Sequence, residues 1–462
     1  DKGKTQTYVL NIDATAPNLF YLFGRNNLMG VTPTPGPPDI NNLNALGLMG
    51  GTLRLGTNIT VPSLAEETNP TQDLNYHVDE DACLWIDGAN VTHTTHANGG
   101  TSNSFVLYGK IKMTNPSSVF NINNEHGIVM RETAEIDIQD GSLTVPCIRT
   151  STVTGTHRGS YTQSGGTVTV TGNLNGSDQH PSFSLTWPDM SFNMSGGNLV
   201  INQATDGGIA LGFSLVIGAN AENISVTGGT VDIEVQNRNA NFTSTAPFWN
   251  LIINSSTTTF SSTISNFAGS GTSSAVAAQP LVVLNDFSLT NQAIFNANNQ
   301  NVTIGGDFSI AAGATYTPGT NTTTFNGTGG QTFTNSGTIT TGLYNLTITN
   351  QSNTNISQNL TIRNNLTIDG NCYLQDMGRT ISVSGNITNS GEHISQASGS
   401  ITLTGTNAQT IGGNGNGAFG NLNINKTGGS VTATANHRIN DNLRLASNHV
   451  LDLGIYKLTF AS

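Results

Sequence analysis

The chain has 462 residues, more than one compact core usually holds, and only 10% of them are charged. Its net charge of −12 excludes the basic footprint of a nucleic-acid binder and argues against electrostatic attachment to anionic lipid. No apolar run reaches the roughly 18 residues that a membrane-spanning helix needs, and the abundant Gly, Asn, Thr and Ser disfavour long helices of any kind.

Hydrophobic residues nevertheless reach 35% and fall in alternating pairs, which disordered tracts lack. Residues 1–45 are the least regular part. A strand is expected at 7–12 (TYVLNI) and an apolar cluster at 19–23 (LFYLF), before Pro33-Thr34-Pro35-Gly36-Pro37-Pro38 interrupts any ladder. This segment reads as an N-terminal cap or junction.

From Gly50 a motif of two glycines and an alternating strand begins. It occurs at 50–55 (GGTLRL), 165–170 (GGTVTV), 196–201 (GGNLVI) and 228–233 (GGTVDI), with a degenerate copy at 140–145 (DGSLTV). Glycine permits positive φ at a corner, and the alternation then points Val, Leu or Ile inward. Irregular stretches at 66–100 and 177–190 interrupt this region and read as loop insertions. Residues 46–247 are therefore expected to form repeats carrying loops. The three cysteines, Cys83, Cys147 and Cys372, are too far apart for a disulfide framework or a CxxC metal pair and read as small buried hydrophobes.

From residue 248 a longer repeat becomes explicit, with a period of about 78 residues. Leu289, Ile368 and Leu445 mark it, and so do Phe295, Leu374 and Leu451, and Val302, Ile381 and Leu458. The segment 325–331 (FNGTGGQ) returns with the same period as 403–409 (LTGTNAQ). A unit of that length holds three or four coils of roughly 20 to 25 residues. The third copy stops partway through, so further repeats of the same parent chain, or a stacked second copy in a homo-oligomer, are expected there.

Short strands between Gly/Asn turns, with no helices between them, predict an all-β fold. The pattern favours a right-handed parallel β-helix (a β-solenoid) with loop insertions, in which turn asparagines stack as hydrogen-bonded ladders. Tandem β-sandwich domains are the alternative, but the motifs are too small to close separate sandwich cores.

The phrases FWNLIINSS, LYNLTITNQ and AFGNLNINKTGG resemble repetitive secreted surface proteins of Bacteroidota-type bacteria, which include giant adhesins and appendage proteins. The resemblance covers residues 248–462 well and 120–247 weakly. It implies an extracellular or cell-surface location, a large parent protein, and structural rather than catalytic motifs.

Three sets of residues are candidates for chemistry. Asp79, Asp81 and Asp87 sit in the densest carboxylate cluster and suit a structural Ca²⁺, although neither EF-hand nor RTX spacing is present. Trp187, with Phe183 and His180, lies in the second loop insertion and suits glycan stacking. Asp232 and Glu234 share an outward strand face, as an acid pair of a polysaccharide lyase or hydrolase would. No cofactor is implied. The expected function is a non-enzymatic extracellular structural or adhesive segment of an adhesin or filament. A β-helix enzyme and a glycan-binding adhesin are the alternatives, and a cell-surface glycan or a prey or host surface is the expected partner.

Overall fold

A computed structural model of the chain describes residues 9–12, 20–21, 47–48, 51–62, 76–78, 80–94, 105–123, 127–150, 157–172, 180–204, 212–269 and 273–461. The chain forms two units, one of residues 1–246 with 266–277, the other of 247–265 with 278–462. Among the described residues the named elements are β-strands, apart from one 3₁₀ turn at Ala221–Asn223. The named strands pair in parallel, coil upon coil, as a β-solenoid. No helix among the described residues is long and apolar enough to cross a membrane.

In the first unit a coil contributes three strands, except that Ser191–Ile201 and Ile224–Val235 each run as one strand through two sides. One coil holds Lys110–Met113, Val119–Asn123 and Ile128–Met130; the next holds Glu135–Ile138, Ser142–Val145 and Ile148–Thr150. Lys110 faces Glu135, Glu135 faces Ser160 and Ser160 faces Ser191, so successive turns run from 110 to 135, 135 to 160 and 160 to 191. The alternation seen in sequence sets the sides: Ile111, Ile136, Tyr161 and Phe192 form one fully buried inward column.

The Gly-Gly motifs stack at one corner. Gly141, Gly166, Gly197 and Gly229 all have positive φ, from 63° to 90°. A Cβ on Gly197 would lie 2.3 Å from the Gly165 carbonyl oxygen of the coil beside it. Both the conformation and the close approach exclude any other residue there.

The second unit has the same three-sided coil. Its core begins with aromatic columns. Phe308 stacks on Phe287 at 4.9 Å and on Phe333 at 5.1 Å, and Phe295 stacks on Tyr316 at 5.6 Å. Corner asparagines and aspartates form the expected ladders. The Asn345 Oδ1 accepts the Asn365 amide (3.1 Å), Asn365 accepts Asn386 (2.9 Å), and Asn386 accepts Thr410 (2.9 Å). On another side Asp286 accepts the amide of Asp307, and Asp307 that of Thr332, each at 2.8 Å. These bonds satisfy amides at strand entries, where the ladder between coils has not yet begun.

The landmarks of the long repeat do not return to the same column. Leu289 belongs to the side built from strands Phe287–Asn291 and Phe308–Ile310, Ile368 to the side of Asn345–Ile348 and Leu366–Ile368, and Leu445 to the side of Leu422–Ile424 and Leu443–Leu445. The coils here are shorter than in the first unit, as the step from Phe287 to its partner Phe308 shows. Each sequence repeat therefore takes up three coils and two further sides, and successive copies are turned by one side. Local chemistry survives the turn. Gln331 donates to the Ile304 and Gly306 carbonyls, and its counterpart Gln409 donates to Val383 and Gly385 on a different side.

Candidate functional site

The most elaborate side-chain cluster among the described residues lies on the outer surface of the first unit. Arg54, Trp85, Lys112 and Asp137 follow one another in a single outward column, set by the pairing of four successive strands. The Arg54 guanidinium and the Lys112 ammonium each lie 5.3 Å from the Trp85 ring centroid. Two cations on one indole are attracted by the negative face of its π system. The Trp85 indole N–H donates to Thr114 Oγ1 at 2.9 Å, and Arg54 Nε donates to Asp87 Oδ2 at 2.6 Å. In the neighbouring column Lys110 pairs with Asp137 at 2.9 Å and with Glu135 at 3.3 Å. Burial by itself would lower the Lys110 ammonium, but its bonds to Asp137 and Glu135 raise it. Nothing local in the sequence marks Arg54 and Lys112 as partners of Trp85. Each lies one full coil away, in opposite directions along the chain, and meets the indole only through coil register.

Of the predicted metal ligands, the two described ones, Asp81 and Asp87, are not brought together. Asp79 lies outside the described residues. Asp81 and Asp87 bracket strand Ala82–Ile86, Asp81 exposed at one end and Asp87 bound to Arg54 at the other. The extended chain between them spans about 20 Å, too far for one ion. Among the described residues no group of three His, Cys, Asp or Glu side chains could hold a metal ion.

The predicted glycan platform is divided by the core boundary. Phe183 is fully buried, edge-on to Tyr161 at 5.1 Å and to Phe192 at 6.3 Å, so its ring packs the core instead of presenting a surface. His180 is buried as well. Trp187 alone is half-exposed, with its ring 4.8 Å from that of His157. The indole therefore offers one platform without the two companions expected beside it.

Asp232 and Glu234 lie two positions apart on strand Ile224–Val235, both half-buried on its outward side. Burial, and then the Glu234 charge, push the Asp232 carboxyl up to about 6. A folded value above the ordinary 3.8 means that the native state holds this proton more tightly than the unfolded chain does. The stability from Asp232 is then present below about pH 4 and lost as pH rises through about 6. We expect Asp232→Asn to raise the unfolding free energy at about pH 8 by no more than ~1 kcal/mol, since water screens this site, and to leave it unchanged at about pH 4. Denaturant titrations at both pH values measure this. An equal change at both would remove burial of the charge as the cause.

No protein-family model matches this chain, and no curated protein is significantly similar to it.

Proposed function

We propose that this chain is an extracellular structural and adhesive protein. It is a β-solenoid segment of a large cell-surface adhesin or filamentous appendage that stacks or oligomerises and performs no catalysis. The observation that carries this reading is the rung-to-rung bonding of the second unit, where Asn and Asp ladders hold coil after coil in register. A spacer under load needs such uniform cohesion between neighbours. The turning of each sequence repeat by one side also supports it. Repeated motifs are thereby shared among all sides instead of building one repeated cleft.

In such a protein, copies would associate by pairing strand edges in the same coil register. Negative-stain images and light scattering of the purified chain over rising concentration test this. Self-association that grows with concentration is expected. A chain that stays monomeric throughout would end the stacking part of the reading. Trp187 is the position from which adhesion to a cell-surface glycan would be tested, by glycan-array binding before and after Trp187→Ala.

A polysaccharide-cleaving enzyme is the second reading, favoured by the placement of Asp232 and Glu234 on one outward strand face, where burial and the Glu234 charge push the Asp232 carboxyl up to about 6. Turnover of a polysaccharide that is lost in Asp232→Asn would establish it.

A further inference from the structure

Two imidazoles lie inside the second unit, and they differ in what faces them. His393 is fully buried, with Nε2 3.2 Å from Oδ2 of the equally buried Asp376. His437 is 2% exposed and points inward from strand His437–Ile439. On one side of it strand Ala418–Phe419 presents the Phe419 ring, with centroids 5.3 Å apart. On the other side it faces Leu458 of strand Leu458–Phe460. A Cβ on Gly417 would come within 3.0 Å of His437 Nδ1, so the pocket is closed there by backbone.

No carboxylate reaches this ring from the strands packed against it. Neither Ala418–Phe419 nor Leu458–Phe460 contains a titratable residue. On its own strand Arg438 points outward, 3.7 Å from Glu392, and the same Glu392 oxygen accepts from Asn440 at 2.8 Å. The Lys457 side chain is exposed, and this residue meets His437 through its backbone carbonyl, which accepts the His437 amide at 3.0 Å.

We propose that His437 is an acid-sensitive latch: protonating its ring releases the coil running from His437 to Phe460 from the strand Ala418–Phe419 beside it, while the coil tied by His393 and Asp376 stays closed. An imidazolium enclosed by Phe419, Leu458 and backbone loses its hydration and gains no carboxylate, and a benzene ring is a weaker partner than a carboxylate. Burial lowers the proton affinity of His437, opposed in part by the backbone of Gly417 and Ile411. A folded value below the unfolded one makes this contribution to stability complete above about pH 6.5 and lost as pH falls. Solenoid coils contact only their neighbours, so one coil opens without unfolding the rest.

His449 acts in the opposite sense. It is half-exposed, and the carbonyls of Lys426, Ser447 and Ala446 at its ring nitrogens raise its proton affinity. Acid strengthens that contact, so the measurement is made both in the native chain and in His449→Gln.

The experiment is hydrogen exchange of the full chain at about pH 7.5 and about pH 5, on the two sides of an ordinary histidine. Protection is expressed relative to the unstructured rate at each pH. Protection of 436–461 should fall about tenfold per pH unit from about pH 6.5 down to the folded value of His437 and level off below it, and the total fall between the two pH values should be larger in His449→Gln. Protection of 345–383 should not change. His437→Gln, or His437→Phe if the first does not fold, should make 436–461 independent of pH. Three results would overturn the latch: constant protection of 436–461, an equal fall in 345–383, or a fall that survives replacement of His437.

Discussion

Replacing Phe308 by Ala should destabilise the second unit by about 3–5 kcal/mol, the cost of removing a fully enclosed aromatic side chain. Phe308 has no exposed surface. Its ring is nearly parallel to Phe287 and Phe333, at 3° and 14°, and edge-on to Tyr316 at 5.5 Å. Truncation therefore leaves a cavity and also breaks three ring contacts, each worth roughly 0.5–1.5 kcal/mol beyond its buried area. The flanking coils cannot collapse into the space, because their own strands are fixed by the ladder on the next coil. Phe308→Leu keeps part of the volume and should lose less than half as much. Denaturant midpoints, with hydrogen exchange to locate the loss between 287 and 333, would measure it. A loss below about 1 kcal/mol for Phe308→Ala would show that the aromatic column is not what holds these coils together.

Asp376→Ala should be comparably costly, about 3–5 kcal/mol, because it leaves buried partners behind. The Asp376 Oδ1 accepts the amides of Gly378 and Gln396, each at 3.0 Å, and its Oδ2 meets His393. Gly399 makes room for it, since a Cβ there would lie 2.1 Å from Oδ1. Burial by itself would raise this carboxyl; the bonds from His393, Gln396, Ser395 and Gly378 outweigh it and hold it below the usual carboxylate range. With a depressed folded value, the contribution is complete above about pH 4 and is lost as pH falls further. Asp376→Asn keeps the acceptor oxygen and should cost visibly less than Ala at neutral pH, as denaturant midpoints of the two variants would measure. If Asn and Ala were equally harmful, the charge and not the pair of amide bonds would be the main contributor. Acid loss from Asp376 sets in below about pH 4, whereas loss from His437 begins at about pH 6.5, so the two onsets differ in one pH series.

Much of the architecture could be read from local pattern. Alternation marked Leu346 and Ile348 as inward, and both are fully buried. The Gly-Gly motifs announced corners, because only a corner needs positive φ and close backbone approach together. The asparagine ladders followed from Asn at strand entries. Less of the site was legible. Phe183 and Trp187 are near neighbours in sequence, and a loop reading put both at the surface; the structure places Phe183 on a strand whose two neighbours bury it. Asp81 and Asp87 appeared to belong to one carboxylate cluster, but a full strand, Ala82–Ile86, runs between them.

By itself, then, the sequence determined the solenoid, the inward residues and the corners, because each depends on neighbours within a few positions. Only the tertiary structure decided which residues share a column. Coil length is set by how three sides close around the core. The long repeat is not a whole number of such coils, so Ile368 does not come back to the side of Leu289. That mismatch turns successive copies of the repeat. The same coil register carries Arg54, Trp85 and Lys112 into one outward column and sets His437 beside Phe419 with no acid to receive its charge.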